Sequence, residues 1–154
     1  MVPLIVMTAA WLVARAFGAI TLWSATNSWG GALRFALAMM FLFTAVSHFH
    51  RRTRADLVRM VPPRLPAPGA LVALTGVLEV TGAVGLLLPS TAVVAAYGLI
   101  ALLILMLPAN VHAARAGLMI AGRRATSLVW RLPLQVFWIG ALWWAAYEAA
   151  RPNR

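Results

Sequence analysis

A few side chains in this sequence can do chemistry in surroundings that otherwise offer none. Glu79 lies near the middle of an apolar run over 69–88, about ten residues, or ~15 Å of helix rise, from either end. A carboxyl group at that depth in hydrocarbon cannot reach water by stretching its side chain. It must be protonated, paired or turned toward a hydrated cavity. His48 ends a second apolar run, Asn110 comes near the end of a third, and Arg131 and Gln135 open a last one. An acid, an imidazole, two amides and a cation within reach of one another make an acid–base and hydrogen-bonding centre. In such a centre His48 or Gln135 would hydrogen-bond a carbonyl, Glu79 would take up or orient a proton, and Arg131 would be its counter-ion. Arg15, inside the first apolar run, is the alternative counter-ion.

Each of these residues also has a plainer explanation. Thr75, Gly76, Gly82 and Ala83 lie three or four positions from Glu79 and share its helical face, which marks a seam where another helix packs. A buried interhelical hydrogen bond with no ligand would satisfy that pattern. His48 lies close to His50 and Arg51, as an interfacial histidine would. Arg131 precedes Pro133, where a helix can begin and a guanidinium can snorkel to headgroups. Pro108-Ala109-Asn110 fits a kink and a helix end. There is no Gly-rich phosphate loop, nucleophile elbow or HExxH pattern. His48 and His50, two residues apart, splay around a helix and do not share a metal, and no metal site is expected. The sequence has no cysteine, which excludes thiol–disulfide chemistry and a thiolate-held iron–sulfur cluster.

The elements that must position these groups follow from composition. Of 154 residues, 63% are hydrophobic and 10% charged, too little polar surface to coat a water-soluble globule. Five apolar runs are each close to the ~20 residues that cross a bilayer: about 2–23, 32–49, 69–88, 91–112 and 128–147. Asn27-Ser28-Trp29-Gly30-Gly31 reads as a turn, and Pro89-Ser90 as a reversal too tight for anything but an antiparallel hairpin. The polar stretches 50–68 and 113–127 read as loops, the first with a short amphipathic turn around Arg54–Met60. The expected fold is all-α: one membrane domain, a four-helix antiparallel core with an extra N-terminal transmembrane helix. The first run does not read as a cleaved signal peptide, since no basic residue leads it.

The 13 basic residues, all arginine, face only Asp56, Glu79 and Glu148. They sit mainly between the apolar runs and are not interleaved with stacking aromatics, so the expected partner is the lipid bilayer and not nucleic acid. Both basic loops fall on one side of a five-span chain. The positive-inside rule then places them, and the N-terminus, in the cytoplasm of a plasma (inner) membrane, with the C-terminus outside. Arg151 and Arg154 in the tail weigh mildly against this. Trp23, Trp29, Trp130, Trp143, Trp144 and Tyr147 fall near span ends, where interfacial aromatics belong.

The stretch Leu33–Phe49, with Leu33-Arg34 at its start and His48-Phe49 at its end, resembles the opening helix of the DoxX-like membrane proteins. Leu74-Thr75-Gly76-Val77-Leu78-Glu79-Val80-Thr81-Gly82-Ala83-Val84-Gly85-Leu86-Leu87-Leu88-Pro89 is similar to that family's GxLExxGxxGLLxP signature. Pro108-Ala109-Asn110-Val111-His112 and Arg131-Leu132-Pro133-Leu134-Gln135 look like its later motifs. The resemblance covers roughly 31–147 and departs at Ala45, where glycine is common. It implies a four-helix core with Glu79, His48, Asn110 and Gln135 at its polar centre. It also implies an accessory or binding subunit of a quinone-linked membrane redox system, with no covalent cofactor, a bound quinone or lipid, and a redox protein or a second copy of the chain as partner. Two rivals stand beside it: an assembly protein without a ligand, and an acid–base enzyme on an apolar substrate, resembling the sterol isomerase bundles.

Overall fold

A computed structural model describes residues 2–19 and 28–151. The protein is all-α, a polytopic membrane helix bundle. Its elements are α1 (Val2–Ala19), α2 (Trp29–Phe49), α3 (Arg51–Met60), α4 (Pro68–Leu87), α5 (Ala92–Leu105), α6 (Leu107–Arg115), a minimal hairpin of β1 (Met119–Ile120) and β2 (Arg123–Arg124), and α7 (Leu128–Ala150). Four stretches are long and apolar enough to cross a membrane: α1, α2, α4 and the continuous pair α5–α6 over Ala92–Arg115. The fifth expected span, α7, has 23 residues but is not among them by composition. Arg131, Gln135 and Glu148 lower its mean hydropathy, and it keeps its place through packing.

Helices α2, α4, α5 and α7 form a closed antiparallel ring, each touching the next, and α1 packs on α2 outside the ring. The direction of each neighbour is legible in single contacts. The start of α2 meets the end of α7 at Gly30 and Glu148, and the end of α2 meets the first half of α4 at His48 and Gly76. The end of α5 meets the start of α7, where Gln135 reaches Leu103. Phe41, Leu37, Leu86, Leu99 and Leu142 fill the ring's centre. Large apolar side chains cover its outside, with Val94 and Leu105 each 76% exposed and Val136 69%. That distribution is stable where the outer solvent is lipid.

Local chemistry explains where the observed boundaries differ from those expected. Ser28 caps α2 by accepting a hydrogen bond from the Gly31 amide at 3.0 Å, so Trp29-Gly30-Gly31 form the first helical turn and not a loop. Asn27, Trp23 and Arg154 lie outside the described residues. The loop 50–68 contains a full ten-residue helix, α3, longer than the amphipathic turn expected there. The fourth apolar run is broken at Met106. Pro108 has no amide hydrogen for the Ile104 carbonyl, so the chain ends α5 and restarts as α6.

The loop 113–127 is not wholly irregular. Ala121 and Gly122 both have positive φ, 49° and 76°, the backbone of a two-residue type I′ turn between β1 and β2. The Ala121 amide donates to Asp56 Oδ2 at 2.8 Å, which ties the hairpin to α3.

Candidate functional site

The end of the bundle where α2 finishes, α4 begins and α5 breaks holds a half-open cavity of about 360 Å³. His48, Glu79, Asn110, Arg131 and Gln135 all line it. The five residues read from the sequence as a polar centre are therefore brought to one place. The rest of the wall is largely apolar, with Met40, Phe41, Leu103, Met106, Leu134 and Trp138 deep in the bundle. Pro3 and Leu4 of α1, Leu57 and Met60 of α3, and Ile120 and Thr126 around the hairpin form the side nearest the basic loops.

Glu79 is 4% exposed and His48 6%. His48 Nε2 lies 3.5 Å from Glu79 Oε2, and the Thr44 hydroxyl is 3.2 Å from the same oxygen. The other face of the imidazole fixes its tautomer. His48 Nδ1 is 2.8 Å from the Val72 carbonyl, which can only accept, so Nδ1 carries the hydrogen. The Thr75 hydroxyl, whose own hydrogen goes to Val72, adds a contact to Nδ1 at 3.1 Å. Nε2 is thus the only imidazole nitrogen that can change its protonation, and it faces the carboxyl group. At 3.5 Å the two can share one exchangeable proton, as carboxylic acid and imidazole or as carboxylate and imidazolium. Thr44 serves either form, because its hydroxyl is also 3.0 Å from the Phe41 carbonyl and can turn between donating there and donating to Glu79.

This arrangement rests on close helix approach. A Cβ built on Gly76 would stand 2.6 Å from His48 Cβ, so only glycine lets α4 come close enough to α2 for the imidazole to meet both Val72 and Glu79. Val72, Gly76, Glu79, Ala83 and Leu86 form the buried stripe of α4. Gly82, expected on the same face, instead meets Leu99 of α5. The seam is two-sided, and the Glu79 side is the one toward α2.

The expected pairing of Arg131 with Glu79 is corrected. Among the described residues Glu79 Oε2 faces His48 Nε2 at 3.5 Å, and Arg131 forms no ion pair. His48 approaches from the helix adjoining Glu79, and its short side chain reaches the carboxyl group within the α2–α4 seam. The Arg131 Nε is buried and has no hydrogen-bond partner. Arg15, the alternative, lies at the opposite end of the bundle with its guanidinium 5.4 Å from the Trp29 ring centroid. Gln135, 8% exposed, donates from Nε2 to the Leu103 carbonyl at 2.8 Å and so pins α7 to α5. Thr44 is the functional side chain that sequence reasoning missed. Its position one helical turn before His48 was the available signal. No group of three or more His, Cys, Asp or Glu side chains that could hold a metal occurs among the described residues.

The fold and the cavity define a class: a helical membrane protein with a polar cavity inside an antiparallel ring. The chain belongs to the family described as a domain of unknown function, DUF8561, which matches residues 37–146. That match runs from the middle of α2 almost to the end of α7, and so spans the ring but not α1. No curated protein and no solved structure matches the chain.

Proposed function

We propose that this protein is an intramembrane binding module. It would hold a quinone-like or lipid-like molecule in the cavity around Glu79 and serve a quinone-linked redox partner in the plasma (inner) membrane, as the resemblance to the DoxX-like proteins implies. One observation carries this reading: a largely apolar cavity of about 360 Å³ gathers His48, Glu79, Asn110, Arg131 and Gln135 from α2, α4, α6 and α7. Small-molecule sites have this make-up, a mostly apolar wall with a few convergent polar groups, in volumes of roughly 300–1,000 Å³. In this reading the proton held between His48 and Glu79 is given to, or taken from, a ligand carbonyl. The basic end, with Arg51, Arg52, Arg54 and Arg59 on or beside α3 and Arg123 and Arg124 on the hairpin, faces the cytoplasm.

A second reading has support of its own. The bonds from His48 to Val72 and from Gln135 to Leu103 cross between helices and would specify packing with no ligand present. Decyl-ubiquinone added to the purified protein in lipid nanodiscs separates the two. Saturable binding that weakens at least tenfold in Glu79→Gln supports the module. Absence of binding to a correctly folded wild type, or equal binding by the variant, removes Glu79 from any such site and leaves the packing role.

A further inference from the structure

Arg131 is the charged member of the cavity whose chemistry the His48–Glu79 pair does not absorb. Its Nε is buried without a hydrogen-bond partner, and it forms no ion pair among the described residues. The cavity's one carboxyl group is engaged by His48 and Thr44. Asp56, on α3, is taken by Arg59 and the Ala121 amide. Arg131 is half-buried, and its Nε, held out of water without an acceptor, is costly to leave unpaired. An anion that supplies acceptor oxygens there makes the missing hydrogen bond and pairs the charge.

The surroundings say what kind of anion fits. Leu134 and Trp138 follow Arg131 along α7 at three and seven residues and line the same cavity. Met106 and Leu103 face it from the α5–α6 break, and Pro3 and Leu4 from α1. A free inorganic anion would leave this apolar wall uncovered. The space is about 360 Å³ and open on one side, so only part of a two-chain phospholipid would lie within it. Asn110, one turn beyond Met106, offers an amide close to the polar end of the space.

We propose that Arg131 and Asn110 form a head-group site for a single-chain amphiphile with an acidic head, whose carboxylate lies against the guanidinium while its chain runs along Leu134 and Trp138. The proposal rests on the cavity being a ligand site, as in the preceding section, and adds the chemical class of the ligand. It separates two tasks within one space: His48 and Glu79 manage a proton, and Arg131 selects an anionic head.

Binding of oleate to the full chain in nanodiscs, followed by isothermal titration calorimetry at pH 8, tests this directly, with oleyl alcohol, dioleoyl phosphatidylglycerol and decyl-ubiquinone titrated in parallel. Oleate is expected to bind at one site at least tenfold more tightly than oleyl alcohol, and Arg131→Gln to abolish that preference while Gly98→Ala, outside this cavity, keeps it. Oleate and the alcohol binding alike overturns the proposal, as does an unchanged preference in Arg131→Gln. Preferential binding of the phosphatidylglycerol also overturns it, because the head group then belongs to a bilayer lipid. Should Arg131→Gln fail to fold, the wild-type comparison of acid with alcohol still decides. Quinone binding without oleate preference sinks this inference alone, and oleate preference without quinone binding sinks only the quinone-linked reading.

Discussion

Replacing Gly76 by alanine puts a methyl group 2.6 Å from His48 Cβ and 3.0 Å from both His48 Cγ and Phe49 Cε2. Carbon atoms in contact prefer ~3.5–4.0 Å, so α2 and α4 must separate by about 1 Å at this level. The atoms met first are the root of a buried side chain, not the flexible end of an exposed one, and cannot simply turn away. Overpacking of this kind costs about 1–3 kcal/mol, against a gain of about 0.5–1 kcal/mol from replacing a helical glycine. The net expectation is a loss on the order of 1–2 kcal/mol. Gly98, on α5, is the internal control, because a Cβ there meets nothing within 4 Å. Gly98→Ala should therefore gain up to about 1 kcal/mol. Unfolding in mixed detergent, followed by tryptophan fluorescence, measures both. The separation also stretches the 3.5 Å between His48 Nε2 and Glu79 Oε2, so the imidazole resonances of His48 should shift in Gly76→Ala and not in Gly98→Ala. Equal stabilities for the two variants would refute the reasoning, since close approach would then not be what glycine provides at position 76.

Two further outcomes follow from the contacts. Asp56 is held below the usual carboxylate range, first by the Ala121 amide and then by the Arg59 side chain. A depressed carboxylate contributes above its unfolded value and is lost as pH falls through the folded one. Hydrogen exchange of the Ala121 amide should thus carry no extra pH dependence around neutrality and should accelerate only in acid below the ordinary carboxylate range. Asp56→Ala should make that exchange fast at neutral pH. Gln135→Leu removes the bond to the Leu103 carbonyl. Interhelical hydrogen bonds in membranes average ~0.6 kcal/mol and reach ~1.7, so its unfolding free energy should fall by less than about 2 kcal/mol, and a larger loss would mean that Gln135 carries more than this one bond.

Much of the architecture was legible because lipid leaves few alternatives. Apolar runs of spanning length must be helices, and a carboxyl group at position 79 must turn inward. Glu79 could be found from depth alone, His48 and Gln135 as polar groups near the ends of neighbouring runs, and Gly76 from its spacing to Glu79. Partner choice was not legible. Arg131 looked like the counter-ion because charge arithmetic favours it. His48 lies in the adjoining seam, however, and its distance from Glu79 is set by Gly76, which no charge count includes. The link from Asp56 to Ala121 joins residues 65 apart through a backbone amide, and such a donor leaves no mark in the sequence. Ala121-Gly122 lacks the Asn-Gly or Asp-Gly of the commonest type I′ turns, so the hairpin was hidden as well.

The first helix lies outside the ring, yet its Pro3 and Leu4 help to close the cavity. The DUF8561 match begins beyond it, at residue 37. Part of the vestibule is therefore built by a segment the shared domain does not include. A relative lacking such a segment would leave that flank of the cavity open to acyl chains.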